Sequence, residues 1–150
     1  MSLRLLYITA LLALVGFIGS VDAASLQVRR IDGATQFPAE LGEIVDMEVA
    51  IDAGAEELTG ITFFLSYDRE VFRLIPAAED EIVGAMPFTQ ASFLGGIVLV
   101  NQEETIDGES FLSYTEATGG LERQAATGVG VVARFQLEVM RRPVGNATRI

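Results

Sequence analysis

Residues 60–76 read GITFFLSYDREVFRLIP, and the rest of this 150-residue chain is arranged around this stretch. Apolar and mostly polar side chains alternate over the first half, which is the two-residue period of a β-strand with one face in a core. The predicted core face comprises Ile61, Phe63, Leu65 and Tyr67, and the opposite face comprises Thr62, Phe64 and Ser66. Asp68 then interrupts the run, and a second apolar segment from Val71 ends at Pro76, which has no amide hydrogen for a sheet ladder. The stretch predicts two strands joined by an acidic turn.

Further segments show the same alternation and are separated by glycine-containing turns. The predicted strands are Leu26–Ile31, Ile44–Ala53, Ile97–Asn101, Ser110–Thr115 and Val129–Met140. Within Ile44–Ala53, the expected core face is Val45, Met47, Val49 and Ile51, and the expected solvated face is Asp46, Glu48, Ala50 and Asp52. Within Val129–Met140, the expected core face is Val129, Val131, Ala133, Phe135, Leu137 and Val139. Strands with one solvated face favour antiparallel pairing, so the chain is predicted to be an all-β antiparallel β-sandwich with jelly-roll topology.

The connections between these strands are less regular. Residues 77–92 are predicted to form a loop with at most one turn of helix, because prolines, glycine and acidic residues break any period. Asp107-Gly108 predicts a hairpin turn, with a longer loop as the alternative. Ala147–Ile150 has the character of a strand that has only begun, so we expect either a truncated chain or a very short closing strand.

The first residues have the composition of an export signal. Met1–Arg4 is a short positive start, Leu5–Val21 is almost unbroken apolar sequence, and Val21-Asp22-Ala23 places small residues where a signal peptidase cleaves. We therefore expect a signal peptide over 1–23 and a single domain over 24–150, secreted or held at the cell surface. The alternative is an uncleaved anchor, since the apolar run approaches the roughly 20 residues that cross a bilayer.

The composition narrows the possible partners. The chain has no cysteine, so an exported domain must be held by its core without disulfides. Its formal net charge is −11 and arginine is its only basic residue type, which disfavours nucleic acid and anionic lipid as partners. We expect no membrane contact beyond the leader. Such a surface suits solubility outside the cell or a partner with a basic patch.

Gly60-Ile61-Thr62-Phe63-Phe64-Leu65-Ser66-Tyr67-Asp68 resembles the glycine, alternating apolar, Ser-Tyr-Asp signature of cohesin-type domains. The likeness continues through residues 71–75 and through Gly130–Leu137, which is similar to a late strand of that family. One departure is Arg69, where the family often has proline after the Tyr-Asp turn. The resemblance implies a cohesin-like sandwich, related in fold to bacterial carbohydrate-binding modules.

The resemblance also implies a function. Cohesins of cellulosomes dock calcium-bound dockerin modules, so it implies a non-catalytic module for protein–protein docking in an extracellular or surface assembly linked to polysaccharide use. The alternative is a carbohydrate-binding module with a polysaccharide ligand. The chain has no tryptophan, and only Tyr67 and Tyr114 follow the leader. Crystalline polysaccharide is bound by flat aromatic platforms, so this composition disfavours that ligand. The family's partner contacts lie at variable surface positions, so the signature carries over no site residues.

Catalysis and metal binding have weaker support. Without histidine, cysteine or lysine, the usual general bases, thiol nucleophiles and Schiff-base amines are missing, so we expect a protein that is not an enzyme. A glycosidase would need two carboxyls flanking a sugar bond, and no motif indicates such a pair. We expect no cofactor; a calcium site at Glu79-Asp80-Glu81 or in a loop over 103–109 is the lesser hypothesis, beside the simpler interpretation of solvated surface charge.

Phe64 departs from the pattern, because it lies on the face where the cohesin-like signature has a polar residue. Two interpretations follow: a loop such as 77–92 covers it, or it is exposed as part of a partner-binding patch with Thr62 and Ser66. We expect the covered arrangement. The face comprising Thr62, Phe64 and Ser66 is the candidate partner-binding site in either case.

Overall fold

The structure is a computed structural model that describes residues 24–106, 109–119 and 125–141. The expected signal peptide over 1–23 and the expected closing strand at Ala147–Ile150 lie outside the described residues, as do Asp107 and Gly108. No helix in the described ranges is long and apolar enough to cross a membrane.

Ten β-strands account for the regular structure of the described residues. They are β1 (Ser25–Arg30), β2 (Ile44–Asp52), β3 (Gly60–Ser66), β4 (Phe72–Ile75), β5 (Ala78–Asp80), β6 (Gly84–Met86), β7 (Thr89–Gln90), β8 (Ile97–Ile106), β9 (Glu109–Ala117) and β10 (Val129–Val139). The predicted two strands around the Asp68 turn are confirmed as β3 and β4, and Pro76 follows the end of β4.

The strands form two main antiparallel sheets. The first sheet has the order β1-β2-β10-β4, and β7 pairs with β10 beside β4. The second sheet has the order β3-β9-β8, and β5 and β6 form a separate hairpin. The predicted all-β antiparallel sandwich is confirmed.

The core lies between the two sheets and is held by aromatic contacts. Phe63 on β3 stacks on Tyr114 of β9 with ring centroids 5.3 Å apart, and Phe135 of β10 meets Phe88 edge to face at 5.5 Å. Phe88, which precedes β7, also contacts Phe63 and Tyr114 and so links the two sheets. Edge-to-face and offset pairs of this kind add to the stabilisation from area burial.

The prediction that one whole face of β2 is solvated is wrong in part. Asp46 and Asp52 are exposed, but Glu48 and Ala50 are 4% and 5% exposed. Glu48 is buried because β2 is flanked on both sides, by β1 and β10, and each neighbour contributes an arginine that pairs with it. Alternation identified the inward side chains correctly. The burial of Glu48 on the outer face depends on these arginines of the neighbouring strands, which alternation does not reveal.

The prediction for β10 holds from Ala133 onward. Ala133, Phe135, Leu137 and Val139 are buried as expected, but a β-bulge between Val131 and Ala133 shifts the register of the residues before it. Val132, the extra residue, is fully buried, whereas Val129 is 71% exposed. An inserted residue reverses which side chains face the core, and the regular alternation of the sequence hides it.

Residues 77–92 are not the predicted loop. The chain leaves the first sheet after Ile75, forms the β5–β6 hairpin, and returns at Thr89, which pairs with Arg134 only two residues from the Gln136–Ile75 pair. The predicted loop over 103–109 is also wrong in its first part, since β8 continues to Ile106. The pairing of Ile106 with Glu109 confirms the hairpin over the longer loop.

Candidate functional site

The three candidate residues Thr62, Phe64 and Ser66 lie together on the outer face of β3, and all are exposed. Phe64 is 63% exposed, whereas its neighbour Phe63 is 6% exposed and belongs to the core. The expectation that residues 77–92 cover Phe64 is therefore wrong. The reason is topological: the β5–β6 hairpin contacts β8, and β8 and β3 are opposite edges of the three-stranded sheet.

Strand register shows which residues share this surface, here called the open face. From one end to the other, its rows across β3, β9 and β8 are Gly60, Ala117 and Ile97; then Thr62, Thr115 and Val100; then Phe64, Ser113 and Gln102; and finally Ser66, Phe111 and Glu104. Leu99, in the bulge between Val98 and Val100, is 64% exposed, and Ile97 is 57% exposed. The sequence predicts only the residues that β3 contributes to this face. The inward positions of Leu112 and Tyr114 in the next predicted strand are the signal that places Ser113 and Thr115 outward.

The open face is apolar and hydroxyl-rich, and among its described side chains only Glu104 is charged. Thr62 and Thr115 share a hydrogen bond of 3.1 Å between their hydroxyl oxygens, and Gln102 donates to Glu104. A sheet surface exposed to water is normally rich in charged residues, whereas exposed apolar patches mark interaction sites. This composition can bind another surface, and it offers few groups for chemistry.

Ser113, at the centre of the open face, has an unusual hydroxyl. It lies between Phe64 and Gln102 in the strand register, is 2% exposed, and its Oγ has no hydrogen-bond partner among the described residues. A buried polar group without a partner is rare in folded proteins and costs stability. The neighbouring side chains cover this hydroxyl, so at this point the open face contains a buried polar group that lowers stability.

A buried carboxylate on the opposite side of the sheet holds the open face in position. Glu116 is completely buried and accepts hydrogen bonds from Gln90 Nε2 at 2.6 Å, Gly96 N at 2.7 Å and Tyr114 Oη at 3.0 Å. These donors come from β7, from the residue before β8, and from β9 itself. Gly96 must be glycine here, because a Cβ atom would lie 2.2 Å from the carbonyl oxygen of Ala117. Burial, together with the Glu116 hydrogen bond, raises the pKa of Tyr114.

A partly buried polar contact joins the residue after β3 to β8, across the second sheet. Tyr67, which the sequence places in the core, is only half-buried; its hydroxyl donates to Glu103 Oε1 at 3.2 Å. Arg69 forms an ion pair with the same carboxylate at 3.4 Å. Burial, reinforced by the Glu103 charge and hydrogen bond, raises the pKa of Tyr67. Neither Tyr67 nor the fully buried Tyr114 provides a flat exposed platform for a sugar.

The acidic segments do not converge on a metal site within the described ranges. No group of three or more aspartate or glutamate residues is placed there to hold a cation. The carboxylate of Asp80 instead accepts the backbone N–H groups of Ile82 and Val83, at 2.8 and 3.1 Å, which lowers its pKa. Part of the 103–109 segment lies outside the description, so calcium binding stays a prediction.

Comparison with solved structures shows what this architecture is similar to. The second type II cohesin module from the cellulosomal adaptor ScaA scaffoldin of Acetivibrio cellulolyticus matches with a TM-score of 0.54 at 18% sequence identity. The match covers 81% of this chain and 72% of that chain. The fold is cohesin-like. A scan against protein-family models finds no match, and a search of curated proteins finds no significant match. The resemblance in residues 60–68 is thereby confirmed at the level of the fold.

Proposed function

We propose that the protein is a non-catalytic docking module that binds a partner protein through the open face. The observation that carries this proposal is the exposed, almost uncharged face around Phe64, on a sheet whose other side is anchored by Glu116. The cohesin-like fold supports the same function, because the solved neighbour is a module of a cellulosomal adaptor. By this likeness, we propose a dockerin-like partner in an extracellular or surface assembly linked to polysaccharide use.

Charge complementarity restricts the partner further. Each arginine of the described chain is in an ion pair with a carboxylate; these residues are Arg29, Arg30, Arg69, Arg73, Arg134 and Arg141. Negative charge therefore dominates what the surface offers, consistent with the net charge of −11. We expect the partner to present an apolar ridge over Phe64 and a basic group opposite Glu104.

The test is affinity capture from the secretome of the source organism, using the immobilised wild-type chain and Phe64→Asp. The matched control is Ile82→Asp, since Ile82 is 93% exposed at the tip of the β5–β6 hairpin and away from the open face. We expect wild type and Ile82→Asp to retain a protein with paired calcium loops, and Phe64→Asp to lose it. Addition of EDTA should release that partner from the wild-type chain.

Two results would contradict docking through the open face. Equal capture by wild type and Phe64→Asp would show that another surface makes the contact. Retention of the chain on a polysaccharide, with no captured protein, would favour the carbohydrate-binding alternative. Circular dichroism of each variant establishes that a lost interaction does not arise from unfolding.

A further inference from the structure

A groove of about 680 Å³ lies on the outer side of the first sheet, across the sandwich from the open face. Its floor is formed by neighbouring side chains of β2 and β10, namely Asp46, Glu48, Arg134 and Gln136. Its volume falls within the range of about 300–1,000 Å³ that small-molecule sites occupy in proteins. The proposed docking function does not use this groove.

The walls of the groove are aliphatic. One wall is formed where the chain leaves the first sheet after β4 and returns to it before β7. The chain leaves β4 through Ile75 and Pro76 and returns through Pro87, so these residues line one side. Ile31, which follows β1 and is 52% exposed, lines the other side. A polar floor between two aliphatic walls suits a ligand that has hydrogen-bonding edges and apolar C–H surfaces.

The floor is polar but electrically balanced. Arg29 Nε donates to Glu48 Oε1 at 2.8 Å, and Arg134 Nε lies 3.8 Å from the other Glu48 oxygen. Gln136 Nε2 donates to Asp46 Oδ1 at 2.7 Å. Two guanidinium groups thus offset the two carboxylates of Asp46 and Glu48, so neither a cation nor an anion gains a net charge attraction in the groove.

Three polar groups beside these contacts can still bind a ligand, and they belong to an amide, a carboxylate and a hydroxyl. Gln136 retains its carbonyl oxygen, Asp46 its second carboxylate oxygen, and Thr89 at the rim its hydroxyl. Two acceptor oxygens beside a hydroxyl that both donates and accepts can bind the hydroxyl groups of a sugar. Ile31 and Pro76 can pack on the C–H face of a pyranose ring. We propose that the groove binds a neutral oligosaccharide.

This site differs from the aromatic platform that the sequence argues against. It uses no tryptophan and no exposed tyrosine, and it binds a short soluble chain rather than a crystalline surface. Because the groove and the open face lie on different sheets, one molecule can hold a sugar and a partner protein together. The two activities are therefore separable by mutation.

The test is a chemical-shift titration of the isotope-labelled full chain with neutral tetrasaccharides: cellotetraose, xylotetraose and mannotetraose. Tetragalacturonic acid serves as the anionic comparison. We expect at least one neutral sugar to shift the backbone amide signals of Asp46, Arg134 and Gln136. Gln136→Ala should weaken that binding about tenfold, through loss of the amide contacts.

The matched control is Gln27→Ala, because Gln27 is exposed on the outer side of the same sheet but outside the groove. It should bind the sugar as the wild-type chain does, and so should Phe64→Asp. Absence of any shift with the neutral sugars would overturn the proposal, as would preferential binding of tetragalacturonic acid. Equal weakening by Gln136→Ala and Gln27→Ala would also overturn it. None of these results affects the docking proposal, whose test uses the other sheet.

Discussion

The outer faces of β2 and β3 have similar sequence patterns and opposite environments. On β2 the outer position Glu48 is 4% exposed and ion-paired, whereas on β3 the outer position Phe64 is 63% exposed. The charged side chain is covered and the aromatic one is open, which inverts the usual distribution. The difference arises because β2 is an inner strand with an arginine on each flanking strand, while β3 is an edge of its three-stranded sheet among the described residues.

The comparison indicates that the two faces have separate roles. The ion pairs around Glu48 connect three strands of the first sheet and contribute to stability. Phe64, on the open face, contributes little to stability, because most of its ring is in water. Substitutions should therefore separate the two faces cleanly, with folding affected on one and binding on the other.

Among substitutions on these two outer faces, the largest effect is expected for Glu48→Ala, which should lower the free energy of unfolding by about 2 kcal/mol. Its loss leaves Arg29 Nε without an acceptor and removes the nearby charge from Arg134. The arginine side chains are 29% and 56% exposed, so water offsets part of the loss and the effect falls below that of a fully buried pair. Urea unfolding measures the difference.

The control for Glu48 is Asp46→Ala on the same strand and face. Asp46 is exposed, so its loss should change the free energy of unfolding by about 0.5 kcal/mol or less. Equal destabilisation by the two substitutions would show that the burial of Glu48 adds no stability. The contrast between a stabilising face on β2 and a non-stabilising face on β3 would then be wrong.

Alkaline pH should weaken the second sheet. Burial raises the pKa of Tyr114 and of Tyr67 in the folded chain, with further contributions from Glu116 and Glu103 respectively. The stability from the neutral phenols is complete below the unfolded pKa of about 10 and is lost as pH rises above it.

Urea unfolding at a series of pH values from 8 upward tests this expectation. Above about pH 10 the free energy of unfolding should fall by up to about 1.4 kcal/mol per pH unit for each raised tyrosine. Tyr114→Phe should reduce that slope, even though loss of its hydrogen bond to Glu116 also lowers stability at neutral pH. An unchanged slope in Tyr114→Phe would show that Tyr114 does not cause the alkaline loss.

The sequence contained enough information for the fold but only part of the candidate site. Alternation over residues 60–66 placed Phe63 inward and Phe64 outward, because side-chain direction in a strand follows from position alone. Alternation could not show whether another segment covers Phe64. That depends on whether residues 77–92 pack beside β3 or beside β8, the two edges of the second sheet. The bulge at Val132 and the partners of Glu48 escaped prediction for the same reason: both are set by pairing between distant strands.

A smaller effect, of opposite sign, is expected at the centre of the open face. Ser113→Ala should raise the free energy of unfolding by up to about 1 kcal/mol, because it removes a buried hydroxyl that has no hydrogen-bond partner among the described residues. Ser66→Ala, at an exposed position of the same face, should leave stability unchanged. A loss of stability in Ser113→Ala would instead show that the hydroxyl is satisfied in solution.

Phe64→Ala should lower the free energy of unfolding by only about 0.5 kcal/mol or less, since most of its ring is already in water. Phe63→Ala is the adjacent comparison and should cost about 3–5 kcal/mol, because that ring packs against Tyr114 and Phe88. Thermal and urea unfolding of the two variants measure both effects. A large loss in Phe64→Ala would mean that the ring is covered in solution, and the open face would lose its central contact. A small loss, together with failed capture of the partner, would show that Phe64 serves binding and that the fold does not depend on it.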